Sequence, residues 1–264
     1  MVDVFGGSGS QINRRRAQGP MGPRGLSGSI RDFCQWLPKT TIVNLQKYDE
    51  IGGFFIENTS KDLEVSGREV KKWISRRVDG YHLVAKKASS DLVKIGYSGR
   101  YALGFKKNRY ESREISVMDP FPGSSSFLCI TFKMMGEGEQ VLLSNFVGDE
   151  DDYCEIRLTN TEIILHLHGD DEIIQHPCKD WTTLFVECNS DGTTAYFKYD
   201  VNGQTGLFTR PCTEMDASGI ALGSRYDDTY FFNGGVLALE FYQIDQPSEV
   251  PEELKRIVIK NQRI

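Results

Sequence analysis

Residues 181–200 read WTTLFVECNSDGTTAYFKYD, and the local fold can be predicted from this stretch alone. Two runs rich in β-branched and aromatic residues, 182–188 and 193–200, lie on either side of Asn189-Ser190-Asp191-Gly192. Such residues favour strands. Asp-Gly is a strong hairpin signal because glycine tolerates positive φ. The stretch therefore predicts two antiparallel strands joined by a tight turn.

Runs of the same kind continue in both directions along the chain. Residues 127–134 predict a buried strand, and residues 235–242 predict the last strand. Residues 155–158 and 162–168 predict a hairpin whose polar residues face outward. From about residue 51 onward, Gly, Asn, Asp and Pro separate these runs at intervals of about 8–12 residues, which is typical of a β sandwich or barrel. Residues 251–257 predict a short helix, because proline suits the first turn and acidic side chains suit the positive end of the helix dipole.

The composition excludes several classes of protein. The chain has 264 residues, 39% of them hydrophobic and 26% charged, which suits one large β domain. The net charge of −6 and the dispersed basic residues argue against nucleic-acid binding. No apolar run approaches the roughly 18 residues that a membrane span needs. The six cysteines are too scattered for a disulfide scaffold, and no CxxC pair could hold zinc. We leave open whether these cysteines are buried thiols or form bridges.

The N-terminal region divides into three predicted segments. Residues 1–18 form a polar leader that cannot bury enough apolar surface to stay ordered. Residues 19–30 form four Gly-X-Y triplets, as a collagen triple helix requires, although a polyproline-like linker or the remnant of a longer collagen-like stretch fits equally. Residues 31–50 carry apolar residues near helical spacing and predict a helical neck. Residues 51–264 form the β domain.

The β region resembles the laminin-G-like jelly rolls of the concanavalin superfamily, which include pentraxin-like and thrombospondin N-terminal-like domains. Weak motifs follow one another in the family order over roughly residues 80–258. They read GRYALGF at 99–105, SFLCITF at 126–132, LLS at 142–144, WTTLFV at 181–186, IALG at 220–223, FNGGVLALEFY at 232–242 and PEEL at 251–254. Bottom-up, these aromatic and aliphatic positions are expected to fill the space between two packed sheets.

The resemblance implies an all-β fold, an antiparallel two-sheet jelly-roll sandwich of the concanavalin type, with the helical neck before it and the short helix after it. It also implies a non-enzymatic recognition or adhesion module that binds a glycan or protein through a loop rim or a sheet face. We expect an extracellular, surface or virion location and a homotrimer formed through the neck. The alternatives are a structural collagen-like matrix or viral fibre component, and a concanavalin-fold enzyme acting on glycans.

Calcium is the one cofactor that the sequence suggests. Asp149, Asp151 and Asp152 lie in an acidic stretch, and Ca²⁺ prefers oxygen ligands of this kind. Several laminin-G-like domains bind calcium at a loop rim using two distant loops, and Asp227 and Asp228 could supply the second loop. The alternative is an acidic loop that simply faces solvent.

Three other features have ordinary explanations. His166 and His168 share one face of a predicted strand, and we expect them to face solvent rather than to bind a metal. Residues 169–172 predict a turn. Asn58 begins a glycosylation sequon, which matters only if the chain enters a secretory pathway.

Catalytic signatures are missing from the sequence. There is no Gly-x-Ser-x-Gly elbow, phosphate loop or His-Glu-x-x-His motif. The Glu-x-Asp-x-x-Glu spacing of concanavalin-like hydrolases occurs at residues 150–155, but it falls in the predicted acidic loop and not along a strand, and the acidic residues are expected mostly in turns. We therefore predict no enzymatic activity and no catalytic residue.

Overall fold

The computed structural model describes most of the β region and the C-terminal helix. The described residues are 49–56, 59–67, 69–75, 82–86, 92–95, 100–112, 125–145, 154–167, 169–191, 193–211, 219–244 and 252–262. The polar leader, the Gly-X-Y tract and residues 31–48 of the neck lie outside this part, as does Asn58. The first strand begins at Asp49, two residues before the predicted start of the β domain.

Seventeen strands and two short helices make up the described part. The strands are β1 Asp49–Phe55, β2 Leu63–Ser66, β3 Glu69–Trp73, β4 Leu83–Ala85, β5 Leu92–Ile95, β6 Arg100–Lys106, β7 Tyr110–Ser112, β8 Ser125–Met134, β9 Gln140–Asn145, β10 Glu155–Leu158, β11 Glu162–Leu167, β12 Asp170–Gln175, β13 Thr182–Ser190, β14 Thr194–Val201, β15 Gln204–Pro211, β16 Ile220–Leu222 and β17 Asn233–Ile244. The helices are α1 Thr59–Asp62 and α2 Glu252–Gln262.

The strands form two antiparallel sheets. Sheet A has the order β15-β14-β13-β8-β17-β6-β5, and β1 also pairs with β17. Sheet B has the order β12-β11-β10-β9-β16-β7-β4-β3-β2. Neighbours in the sheets are often distant in sequence, as a jelly roll requires. The predicted fold class is thereby confirmed.

Strand β17 is an interior strand of sheet A and pairs with three others. One edge pairs with β8 along nearly its whole length. On the other edge, residues 233–236 pair with β6 and residues 238–243 pair with β1. An irregularity between Val236 and Ala238 separates these two halves. β17 thus joins the first described strand to the middle of the sandwich.

The predicted hairpin of residues 182–200 is present as β13 and β14. Its strands pair from Leu184 with Val201 to Ser190 with Ala195. Oδ1 of Asp191 accepts hydrogen bonds from the backbone amides of Thr193 and Thr194, at 2.9 and 2.8 Å. These bonds stabilise the charged carboxylate and lower the pKa of Asp191. The side chain of Asp191 therefore stabilises the turn directly, by accepting hydrogen bonds from two backbone amides.

Aromatic side chains fill the space between the sheets. Phe105 on β6 and Tyr110 on β7 meet edge to face, with ring centroids 5.8 Å apart. Phe54 on β1 and Trp73 on β3 make a second such contact at 5.6 Å. All four side chains are buried. Because each pair joins one sheet to the other, the core lies where the alternating pattern predicted it.

Helix α2 covers the outer face of sheet A. Leu254, Val258, Ile259 and Gln262 repeat at helical spacing and are buried. Nε2 of Gln262 donates to the backbone oxygen of Cys129 and to Oε1 of Glu240, each at 2.9 Å. Sheet A is therefore covered on both faces where helix α2 packs. Among the described elements, no helix covers the outer face of sheet B.

Some predictions about individual residues need correction or restriction. Residues 169–172 are not a turn as a whole, because only Gly169 turns, at a φ of 78°, and β12 begins at Asp170.

Cys129, Cys154, Cys178 and Cys188 are buried free thiols. Burial raises the pKa of Cys178 to about 12, so that this thiol stays protonated. Within the described residues, no helix is long and apolar enough to cross a membrane.

Candidate functional site

A row of mostly polar residues crosses the outer face of sheet B, with one residue from each of its nine strands. Residues paired directly across a sheet share a face. From β12 to β2 the row is Asp171, His166, Glu155, Ser144, Ala221, Glu111, Val84, Lys72 and Glu64. The next row along, on the inner face, is apolar from Leu165 through Ile156, Leu143 and Leu222 to Tyr110. We call the outer surface the sheet B face.

Glu155 is the most deeply buried acid of the row, with no exposed surface. Arg225 donates to it from Nε at 2.7 Å and from Nη2 at 2.9 Å, so both carboxylate oxygens are bound by one guanidinium group. Burial raises the pKa of Glu155, while the hydrogen bonds and charge of Arg225 and the charge of Arg157 oppose the rise. The guanidinium group thus supplies the countercharge that a buried carboxylate needs.

Arg157 connects Glu155 to the edge of the sheet B face. Its Nη2 contacts both Asp171 and, at 3.1 Å, Nδ1 of His166, and its Nη1 lies 3.3 Å from Oε1 of Glu139. Desolvation raises the pKa of Asp171, but the hydrogen bond with His166 and the charge of Arg157 outweigh this effect, and the pKa is lowered. Nδ1 of His166 lies 2.6 Å from Oδ1 of Asp171. The expectation that His166 faces solvent is therefore wrong, because the side chain is buried against these two partners.

A loop of residues 224–230 lies against the middle of the sheet B face. Oγ of Ser144 donates to the backbone oxygen of Ser224 at 3.3 Å. Arg109 precedes β7, and its Nη1 donates to the backbone oxygens of Arg225 and Tyr226. The same guanidinium group forms ion pairs with Asp228, at 2.9 Å, and with Glu111. Arg109 is buried between the loop and sheet B, and its contacts with both fix the loop to the sheet.

The 224–230 loop contains two residues with positive φ that are not glycine. Asp228 has a φ of 67° and Tyr230 a φ of 49°. Aspartate adopts this conformation fairly readily, but a bulky residue there is an outlier that costs free energy. The side chain of Tyr230 is 47% exposed, and the guanidinium carbon of Arg225 lies 4.8 Å from its ring centroid. The loop therefore holds an aromatic ring at the surface in a strained backbone conformation.

The structure places only part of the predicted calcium site. Asp149, Asp151 and Asp152 lie outside the described residues, as does His168. Oδ1 of Asp227 accepts hydrogen bonds from the amide and hydroxyl of Thr229, and Asp228 pairs with Arg109. No group of three or more metal-binding side chains occurs in the part of the chain that the structure describes. The calcium site stays a prediction.

The sequence did not reveal the residues at the centre of the face. Glu155 and Arg157 were expected to point outward from β10, and they do, but neither the full burial of Glu155 nor the partial burial of Arg157 was foreseen. Glu111 lies on strand β7, whereas acids were expected mostly in turns, and Glu155 lies on β10, as the predicted strand of residues 155–158 placed it. The alternation of polar residues in β10 was the only sequence pattern that pointed to the site. No pattern marked Arg109, Arg225 or Tyr230 as part of it.

Comparison with known proteins supports the fold. No family model and no curated protein matches the chain. Domain 4 of AbnA, a GH43 extracellular arabinanase from Geobacillus stearothermophilus solved with arabinotriose, is similar with a TM-score of 0.53 and 12% identity, over 82% of this chain and 100% of that one. A GH54 α-L-arabinofuranosidase mutant has a TM-score of 0.51 and 12% identity, over 74% of this chain and 50% of that one.

A third similar structure is that of botulinum neurotoxin type C, whose cell entry depends on two ganglioside molecules. Its TM-score is 0.50 and its identity 11%, over 81% of this chain and 51% of that one. The chain thus spans about half the length of this protein and of the arabinofuranosidase. Together with the strand order, these likenesses show a two-sheet jelly-roll sandwich.

Proposed function

We propose that this chain is a non-catalytic carbohydrate-binding module whose sugar site is the sheet B face beside the 224–230 loop. The observation that carries the proposal is Tyr230, an exposed aromatic ring held in a left-handed backbone conformation next to a buried charged network. An exposed ring of this kind offers an apolar surface for the CH groups of a sugar, while neighbouring polar side chains can bind its hydroxyl groups.

The rigidity of the loop supports this proposal. Strained backbone persists only where the surroundings hold it in place, and such strain clusters at binding sites. Here Arg109 donates to two loop carbonyls and pairs with Asp228, and Arg225 pairs with Glu155. Binding a sugar to a loop that is already ordered costs little conformational entropy.

The structural neighbours agree with a sugar-binding role. One neighbour was solved with arabinotriose, and another enters cells through gangliosides. We propose by the same reasoning that the ligand is a glycan on a surface outside the cell, so that the module acts in an extracellular or surface location. The homotrimer, the collagen-like tract and glycosylation at Asn58 depend on residues outside the described part and stay predictions.

The carboxylates of the sheet B face are engaged in ion pairs, which argues against hydrolysis. Glycosidases need two carboxyl groups about 5–10 Å apart that can reach the substrate. Glu155 and Glu111 lie on strands three spacings apart, about 14 Å between backbones. Arg225 binds both oxygens of Glu155, and Arg109 and Lys86 pair with Glu111. These ion pairs favour a role in holding the site rather than in proton transfer.

A glycan array followed by titration calorimetry with the bound glycan tests the proposal. The Tyr230→Ala variant removes the exposed ring, and we expect at least a tenfold loss of affinity. Tyr196→Ala is the matched control, because Tyr196 is a 39% exposed tyrosine on β14 of the other sheet. An array without any bound glycan, or equal losses in the two variants, would refute the proposed site.

A further inference from the structure

The arginines of the sheet B face are already paired with carboxylates. Arg225 binds Glu155, and Arg157 contacts Glu139, Glu155 and Asp171. Arg109 pairs with Glu111 and Asp228, and Lys86 lies 3.3 Å from Glu111. Each cation in this charged cluster therefore has at least one protein anion as its partner.

The charged cluster is not positive overall. It contains four cations, Lys86, Arg109, Arg157 and Arg225, and five carboxylates, those of Glu111, Glu139, Glu155, Asp171 and Asp228. With histidine neutral, the net charge of this cluster of described residues is −1. Sites that recognise carboxylate, sulfate or phosphate rely on cations that are free to make charge-assisted bonds. The sheet B face lacks this excess.

An acidic ligand would also have to displace a protein carboxylate. Glu155 is fully buried and Glu111 nearly so, and moving either carboxylate into water would break its ion pair with an arginine. Separating a buried carboxylate from its arginine leaves an uncompensated charge and is strongly unfavourable. An additional anion placed beside the cluster would meet like charges.

We infer that the sheet B face selects uncharged sugars and discriminates against sugars that carry carboxylate, sulfate or phosphate groups. This inference rests on the proposed sugar site. The arginines hold the loop and the carboxylates in place. The sugar contacts the ring of Tyr230 and the polar side chains that bind its hydroxyl groups. Binding should then depend little on ionic strength, because counterions are not exchanged.

Calorimetry with matched ligands tests the inference. A neutral oligosaccharide bound on the array is compared with the same oligosaccharide carrying one sialic acid or uronic acid residue, at 50 and 500 mM NaCl. We expect at least a tenfold preference for the neutral form and less than a twofold change in its Kd with salt. Preference for the acidic form, or a Kd that weakens strongly with salt, would overturn the inference while leaving the sugar site intact. Binding of neither form refutes both.

A charge-freeing variant provides a second test. Asp171→Asn removes the anion that is paired with Nη2 of Arg157, so this nitrogen can pair with an acidic ligand, and affinity for that ligand should rise severalfold. Glu162→Gln is the control. Glu162 lies on β11, on the same outer face of sheet B as Asp171, but it accepts a hydrogen bond from Gln175 and not from an arginine. Equal gains in the two variants would mean that bulk charge, and not pairing of the arginine, sets the selectivity.

Discussion

Arg225 binds both carboxylate oxygens of Glu155, at 2.7 and 2.9 Å, although 70 residues separate them in sequence. Arg225 belongs to the 224–230 loop and Glu155 to strand β10 of sheet B, so this contact fixes the loop to the sheet. Glu155 is buried without exposed surface, whereas Arg225 is partly exposed. The pair therefore contributes to the geometry of the proposed sugar site as well as to stability.

Removing the arginine should destabilise the fold strongly. Arg225→Met removes both hydrogen bonds to the buried Glu155 and leaves only the charge of Arg157 at 3.9 Å, and we expect a loss of about 3–5 kcal/mol in the free energy of unfolding. Urea denaturation at pH 7 measures this loss. The double variant Arg225→Met with Glu155→Gln should be more stable than Arg225→Met alone, because no charge is then left unpaired. A double variant that is as unstable as the single one would show that the ion pair is not the cause.

The same variant should respond to pH in a defined direction. The pKa of Glu155 is raised by burial, and loss of Arg225 raises it further. When the folded-state pKa of a carboxyl group is raised, its protonated form favours the folded protein. This contribution to stability is lost as pH rises through that pKa. The stability difference between Arg225→Met and wild type should therefore be smaller at pH 5 than at pH 8. Melting curves at both pH values measure it, and a constant difference would contradict the prediction.

Asp171 should give the opposite dependence. Its pKa is lowered, so the ionised form contributes stability above the unfolded pKa of about 3.9, and this contribution is lost as pH falls through the folded pKa. Wild type should lose more stability than Asp171→Asn between pH 5 and pH 3. Thermal melts across this range test the prediction, with Glu162→Gln as a control carboxylate on the same face. Parallel curves for wild type and Asp171→Asn would refute it.

Gly223 precedes the 224–230 loop and has no room for a side chain. It has a φ of 98°, and an added Cβ would collide with the ring of Phe105 and lie 2.8 Å from the backbone oxygen of Asn108. We expect Gly223→Ala to cost about 3 kcal/mol or more, the sum of overpacking and backbone strain. Gly138→Ala is the control, with a φ of 77° and open space, and should cost only about 1–2 kcal/mol. Equal losses in denaturant midpoint would contradict the collision.

The contact of helix α2 with sheet A can be tested in the same way. Leu254 is buried, and Leu254→Ala should lower the free energy of unfolding by about 2–5 kcal/mol. Lys260→Ala, on the exposed side of the helix, should change it by less than about 0.5 kcal/mol. A Leu254→Ala protein with wild-type stability would mean that the helix does not pack on the sheet in solution.

Local patterns were enough to predict an all-β domain and its hairpins, and the two-sheet jelly roll was predicted from the resemblance to laminin-G-like domains. Asp191-Gly192 marked the β13–β14 turn, and the alternation in residues 155–158 and 162–168 marked the β10–β11 hairpin, because both signals depend on neighbours in sequence. The C-terminal helix was recognised from its proline and acidic first turn. Its packing on sheet A was not, since an amphipathic helix does not specify the surface that it covers.

The candidate site could not be predicted because its contacts are long-range. Arg109 and the backbone of Arg225 are 116 residues apart, and no local pattern joins them. His166 was expected in solvent because its strand alternates, yet Arg157 and Asp171 from the two flanking strands cover it. Burial of a polar residue on an outer face depends on strand order, which sequence periodicity does not contain.

The position of β17 has a consequence for how the chain is made. Residues 233–244 lie between β8 on one side and both β6 and β1 on the other, so sheet A has an interior gap until they are added. Translation reaches Asn233, the start of β17, 178 residues after Phe55, the end of β1. Pairing over such a distance is slow. During translation the incomplete sheet therefore exposes unpaired strand edges, which favour aggregation until β17 is added.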